Sequence, residues 1–82
     1  DWSSLPETEV LRAELKEVLE DAIGGLPEIY KTVLLLRDVE DLSTGETASI
    51  LEVSEDVVKT RLHRARLAVR QSLDGYLRAR AN

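Results

Sequence analysis

The stretch Val57-Val58-Lys59-Thr60-Arg61-Leu62-His63-Arg64-Ala65-Arg66-Leu67-Ala68-Val69-Arg70 decides how this chain folds. It contains five Lys or Arg residues, one His and no acid, although the whole protein has a net charge of -5. At helical spacing its apolar residues fall on one stripe, and most of its basic and polar residues fall opposite or beside that stripe. The stripe comprises Val58, Leu62, Ala65 and Val69. The stretch therefore predicts an amphipathic helix with a basic outer face.

Charge and residue usage narrow the possible functions. Residues 1–28 carry eight acids and two bases, whereas residues 54–82 carry three acids and seven bases. This asymmetry is typical of a protein that presents one face to a polyanion. The chain has one His, no Cys, no glycine-rich phosphate loop and no metal-ligand spacing, so we predict no catalytic, cofactor or metal site. No apolar run is long enough for a membrane span, and we expect a cytoplasmic protein with no membrane or small-molecule partner.

Periodicity and punctuation predict an all-α fold with helices near residues 5–24, 27–39, 44–51 and 54–73. Gly24-Gly25 predicts a left-handed cap at the end of the first helix, and Gly75 predicts the stop of the fourth. Ser43 and Ser54 are the predicted N-caps of the third and fourth helices. The predicted buried residues are Leu34, Leu36, Ala48, Leu51, Val58 and Leu62.

The third and fourth helices, separated by Glu52-Val53-Ser54, form a helix-turn-helix pattern over about residues 43–70. We predict one four-helix DNA-binding domain over residues 1–82, with residues 1–5 as the remnant of an interdomain linker. In such a domain the first half of the second helix enters the major groove. The side chains placed to reach base edges are Lys59, Thr60, His63 and Arg64, and those better placed for phosphates are Arg61, Arg66 and Thr44.

Several segments together resemble a known family. They are Leu26-Pro27 with Tyr30, the run from Val33 to Val39, Leu42-Ser43, and the run from Val58 to Arg66. The chain resembles the fourth domain (region four) of bacterial sigma factors of the extracytoplasmic-function (ECF) group. The resemblance implies a domain that reads the minus-thirty-five element of promoter DNA and docks on the beta-subunit flap of RNA polymerase. It also implies an anti-sigma factor as a partner, and places Lys59, Thr60, His63 and Arg64 against DNA.

Three positions depart from the family pattern. Glu52 stands where helix-turn-helix proteins usually have glycine, Thr47 replaces a branched aliphatic residue, and Val57 replaces Thr or Ser. Two other classes remain open at this point. One is the helix-turn-helix output domain of a LuxR-type regulator, and the other is a purely protein-binding helix bundle. Leu67, on the outer face, is either an ordinary exposed leucine or part of a protein-binding patch.

Overall fold

The computed structural model describes residues 6–81, and in them it contains four helical elements and no strand. Helix α1 spans Pro6–Gly24, and α2 spans Glu28–Leu34 and continues into a π-helical turn, Leu35–Val39. Helix α3 spans Thr44–Leu51 and α4 spans Glu55–Ala81. The predicted all-α fold is confirmed. The predicted linker remnant at residues 1–5 lies outside the described residues.

The junction between α1 and α2 lies at the predicted place, but its glycines do not adopt the predicted left-handed conformation. Helix α1 ends at Gly24, but no described glycine has a positive φ, so the predicted left-handed cap is wrong. Instead the chain turns through hydrogen bonds from the Gly25 amide to the Asp21 carbonyl and from the Leu26 amide to the Ile23 carbonyl, at 3.0 and 3.1 Å. Pro27 follows with φ -53° as the N-cap of α2. Because its ring fixes φ near this value, proline suits the position.

The second helical segment ends in a way that local propensity did not predict. The Glu40 amide donates to the Leu35 carbonyl, five residues back, at 2.9 Å, which is the hydrogen bond of a π-helical turn. Asp41 then adopts φ 59°, a left-handed conformation that Asp tolerates better than most residues. The guanidinium Nη1 of Arg37 donates to the Leu42 carbonyl at 2.6 Å and ties down the connection to α3.

Both predicted serine caps are present. Ser43 Oγ accepts a hydrogen bond from the Glu46 amide at 3.0 Å, and the Glu46 carboxylate accepts one from the Ser43 amide at 3.0 Å, completing a capping box. The hydrogen bonds from Ser43, chiefly from its backbone amide, hold the pKa of Glu46 below its usual value. At the start of α4, Ser54 Oγ accepts from the Val57 amide at 3.2 Å. These caps orient the two helices of the predicted helix-turn-helix.

The turn between α3 and α4 has the backbone conformation for which glycine is usual. Glu52 has φ 57° and ψ 44°, and the Val53 amide donates to the Ala48 carbonyl at 3.1 Å. A residue with a Cβ pays roughly 1–2 kcal/mol for this left-handed conformation. The turn therefore stores strain at Glu52 that a glycine would not carry.

Helix α4 is longer than predicted, because it continues through Gly75 to Ala81. A glycine inside a helix costs only about 1 kcal/mol relative to alanine, and long-range contacts offset that cost here. The Tyr76 hydroxyl donates to the Glu14 carboxylate of α1, and Arg80 pairs with the same carboxylate. The hydrogen bond to Glu14 raises the pKa of the Tyr76 phenol, since it stabilises the protonated form. The predicted stop at Gly75 is wrong for this reason.

The core lies where α4 packs against α2 and α3, and α1 covers the C-terminal half of α4. Four of the six predicted core residues are buried, and Leu36 and Leu51 are only half-buried. Leu36 lies in the π-helical turn, which shifts side chains around the axis relative to an α-helix. Leu51 lines an open cleft beside Arg61. The buried apolar residues are Leu26, Val33, Leu34, Ala48, Val58, Leu62 and Ala65.

Candidate nucleic-acid interface

The first half of α4 separates a buried stripe from an exposed polar face. Val58, Leu62 and Ala65 are buried at 0–6% exposure. The four residues predicted to read base edges are all exposed and occupy the other sides of the same helical turns: Lys59, Thr60, His63 and Arg64. Since residues three and four apart share a helix face, Thr60 and Arg64 stand together, as do Lys59 and His63. The packing of the core thus presents the predicted set to solvent as one surface.

A shallow depression of ≈ 280 Å³ lies on one flank of this surface. Thr60 and Arg64 line it together with Asp56, Val57 and Arg61. The Nη1 atom of Arg64 lies 3.5 Å from the hydroxyl of Tyr30, so α2 supplies a weak polar contact beneath it. Arg64 is nevertheless exposed, and its guanidinium is available for a partner.

Two of the three predicted phosphate contacts lie at the edges of the surface. Arg61 is half-buried and also lines a cleft towards α2, beside Ile29 and Leu51. Thr44 is the first residue of α3, directly after the capping Ser43, and it is half-buried. The start of α3 lies close to the start of α4, because a Cβ added at Gly45 would come within 3.8 Å of a Glu55 carboxylate oxygen. Thr44 is therefore beside the N-terminal end of α4.

The third predicted phosphate contact, Arg66, is already paired within the protein. Its Nε and Nη2 atoms donate to Oδ2 and Oδ1 of Asp38 at 2.9 and 2.5 Å, a two-point contact. The hydrogen bond from Arg66 holds the pKa of the Asp38 carboxyl below its usual value, and the same bond raises the pKa of Arg66. Local sequence patterns could not predict this pair, since 28 residues separate its members. Arg66 is thus exposed, like the four residues predicted to read base edges, but it is already held in a two-point ion pair.

An apolar groove of ≈ 340 Å³ lies behind the polar face, between α1, the end of α2 and the middle of α4. The floor and walls are Ile23, Leu34, Val39, Val69 and Leu73, and the charged residues at its rim are Asp38, Arg66 and Arg70. Val39 is 63% exposed at the mouth of the groove. Sequence reasoning missed this groove, because its residues come from three elements whose relative placement only the fold defines.

Residues 6–81 contain no group of His, Cys, Asp or Glu side chains that could hold a metal ion. In the same range no helix is long and apolar enough to cross a membrane. Exposed Leu67 lies in a cleft with His63, Arg66 and Arg70, so its surroundings are basic rather than apolar.

The domain is a helix-turn-helix domain. It has a capped short helix, a left-handed turn at Glu52, and a longer helix with an exposed basic face. Residues 16–69 match the family model for "Sigma-70, region 4". The chain belongs to the sigma-70 region 4 family, whose members are helix-turn-helix DNA-binding domains of transcription initiation factors and not enzymes. The family predicted from the residues is confirmed, and the LuxR-type alternative is set aside.

Individual relatives point to the same group. The chain is 41% identical over 69 residues to the ECF RNA polymerase sigma factor SigW of Bacillus subtilis, a match covering 84% of this chain and 37% of the relative. It is 41% identical over 61 residues to the ECF RNA polymerase sigma-E factor of Haemophilus influenzae, covering 74% of this chain and 32% of the relative. It is 36% identical over 73 residues to the RNA polymerase sigma-H factor of Pseudomonas aeruginosa, covering 89% and 38%. The chain thus spans about a third of the length of these relatives.

Proposed function

We propose that this domain reads the minus-thirty-five element of promoter DNA with the first half of α4 and docks on RNA polymerase in the cytoplasm. The observation that carries the proposal is the joint exposure of Lys59, Thr60, His63 and Arg64 on α4, opposite its buried residues Val58, Leu62 and Ala65. The major groove of DNA admits one α-helix, and it offers a distinct pattern of donors and acceptors for each base pair. Family membership supplies the promoter as the source of that DNA.

Each exposed side chain has a role that follows from its chemistry. Arg64 has the planar fork that matches O6 and N7 of guanine, and Lys59 can donate to the same acceptors or to a phosphate. Thr60 and His63 each offer a donor and an acceptor for a base edge. Arg61 and Thr44, at the edges of the surface, suit the flanking phosphates.

A mismatch series at two salt concentrations tests the readout. Arg64→Ala should cost about 1–3 kcal/mol on the best duplex and relax the preference at one base position. Arg70→Ala is the matched control, because it removes the same group from α4 outside the depression lined by Arg64. It should weaken all duplexes equally, if at all, and lower the salt slope by no more than about one. A uniform loss for Arg64→Ala across every mismatch would identify Arg64 as a phosphate contact and contradict the proposed docking.

The apolar groove is the surface we assign to the polymerase, at the flap of its beta subunit. Val69 and Leu73 line the groove about half a helical turn away from Thr60 and Arg64, so DNA and a protein partner can bind at the same time. Apolar walls with a charged rim are the usual anatomy of a protein-binding site. An anti-sigma factor that used the same groove would exclude the polymerase.

A charged side chain introduced into the apolar groove should disrupt binding to the polymerase without disrupting binding to DNA. Val39→Asp should abolish co-purification with core RNA polymerase and leave the affinity for duplex DNA nearly unchanged. Val10→Asp is the control, because Val10 is 52% exposed on α1 and does not line the groove. An anti-sigma factor should compete with core polymerase for the chain. Simultaneous tight binding of both partners would contradict a shared groove.

A further inference from the structure

Arg66 borders two surfaces that the proposed function uses separately. It lines the apolar groove together with Asp38, and it lines the outward basic cleft together with His63 and Arg70. In the structure its guanidinium faces Asp38, with both hydrogen bonds made to that carboxylate. The same cation can therefore serve the protein or a polyanion lying along α4.

We propose that Asp38 acts as an internal substitute for phosphate, which holds Arg66 away from DNA in the free domain and makes Arg66 a conditional phosphate contact. This inference rests on the proposed DNA binding by α4. Asp38 is thus a positioning residue. It makes no contact with DNA itself, but it controls whether Arg66 is free to bind the phosphates of the DNA backbone.

The chemistry of the pair favours exchange. Guanidinium groups bind carboxylates and phosphates through the same two-point geometry, so a phosphate oxygen pair can replace the Asp38 oxygens without loss of hydrogen bonds. The Arg66 and Asp38 side chains are 54% and 32% exposed, and ion pairs this accessible are weak. A buried pair would resist opening, whereas this one presents little barrier to a competing anion.

Asp38 is also not stranded when Arg66 leaves. Arg37 lies beside it and stabilises its charge, although the Arg37 Nη1 atom is itself bound to the Leu42 carbonyl. Arg70 is a further cation at the rim of the same groove. Loss of the Arg66 contact therefore leaves the carboxylate in a positive and partly solvated environment, which is the condition for a reversible exchange.

Salt-dependent binding of the 82-residue chain to a short duplex of mixed sequence tests the idea, because phosphate contacts are independent of sequence. Each contact adds about 0.9 to the slope of log affinity against log salt, or roughly a 3.5-fold change in affinity per fourfold change in salt. Asp38→Asn should steepen the slope by up to that amount, because in the wild-type chain the Asp38 carboxylate competes with phosphate for Arg66. The double variant Asp38→Asn with Arg66→Gln should lose this increase in slope. Arg66→Gln should change the slope less in the wild-type chain than in the Asp38→Asn variant.

Two further variants complete the experiment. Glu40→Gln removes a neighbouring acid that makes no ion pair among residues 6–81, and it should leave the slope unchanged. Asp38→Ser also removes the carboxylate that holds Arg66, so it should steepen the slope as Asp38→Asn does. This variant decides the matter if Asp38→Asn lowers the melting temperature enough to prevent folding.

Several results would overturn the inference. One is a steeper slope for Asp38→Asn that remains when Arg66 is also replaced. Another is an equally steep slope for Glu40→Gln. Either result would mean that the acid acts by general repulsion of DNA phosphates and not by holding Arg66. A third is an unchanged slope for both Asp38→Asn and Asp38→Ser. If the wild-type chain binds the duplex and these variants match it, the inference alone fails. If the wild-type chain shows no salt-dependent binding to this duplex or to the best duplex of the mismatch series, the proposed DNA-reading function fails with it.

Discussion

Replacing the buried hydroxyl of Thr47 by a methyl group should stabilise the domain. Its side chain is fully buried in α3, and its Oγ1 atom has no hydrogen-bond partner among the described residues. A buried polar group without a partner costs about 1–3 kcal/mol. Valine has nearly the same shape and the same β-branching, so it removes the hydroxyl without opening a cavity or changing the helical backbone. Thr47→Val should therefore raise the free energy of unfolding by about 1–2 kcal/mol, the lower part of that range.

Thermal and urea unfolding followed by far-UV circular dichroism measure the effect. In a domain of this size a gain of 1 kcal/mol corresponds to a rise in melting temperature of about 4–8 °C. Thr60→Val, at an exposed position of α4, is the matched control and should change the free energy of unfolding by less than about 0.5 kcal/mol. Thr47→Ser keeps the hydroxyl and removes the methyl, so it should destabilise. A neutral or destabilising Thr47→Val would mean that the hydroxyl is satisfied in solution, and the argument from its desolvation would be wrong.

Three further changes probe the core, the turn and a cap. Leu62→Ala should lower the free energy of unfolding by roughly 2–5 kcal/mol in denaturant titrations, because Leu62 is 6% exposed; a loss under about 1 kcal/mol would exclude it from the core. Glu52→Gly should stabilise by on the order of 1 kcal/mol, because it relieves the left-handed strain, and it should strengthen DNA binding at low salt by removing an acid. A loss of stability would contradict that strain. Glu46 has a depressed pKa in the folded state, so its contribution is present above its unfolded pKa and is lost as pH falls through the folded value. Glu46→Gln should flatten that part of the stability curve measured between neutral and acid pH, and an unaltered curve would count against the capping box.

Features that depend on neighbouring residues could be predicted from the sequence. The capping box at Ser43 and Glu46 and the cap at Ser54 each use partners three residues apart, so the pattern contains both members of the contact. Glu52 stands where helix-turn-helix proteins usually have glycine, and its left-handed conformation agrees with that pattern. The exposed side of α4 followed from the spacing of its apolar stripe.

Features that join distant residues could not be predicted. Glu14 binds Tyr76 and Arg80 across 62 and 66 residues, and this contact extends α4 past a glycine that locally favours a stop. The predicted role of Arg66 rested on its place in α4. Its pair with Asp38 forms because the fold brings the π-helical turn, which contains Asp38, beside α4. In both cases a tertiary contact outweighs or redirects a local preference.

The length of α4 connects these observations. Its first half carries the exposed basic face, and its second half, where Tyr76 and Arg80 bind Glu14, anchors the acidic α1. The cations are thus concentrated on one part of a chain whose net charge is -5, so the rest of the domain repels DNA. A domain arranged in this way gains little from non-specific attraction and depends on correct contacts of α4. In the proposed function, docking on the polymerase adds to DNA affinity by raising the effective concentration of the domain at the promoter. Arg66 fits the same logic, because a cation paired with Asp38 adds less to the general attraction for DNA than an unpaired one would.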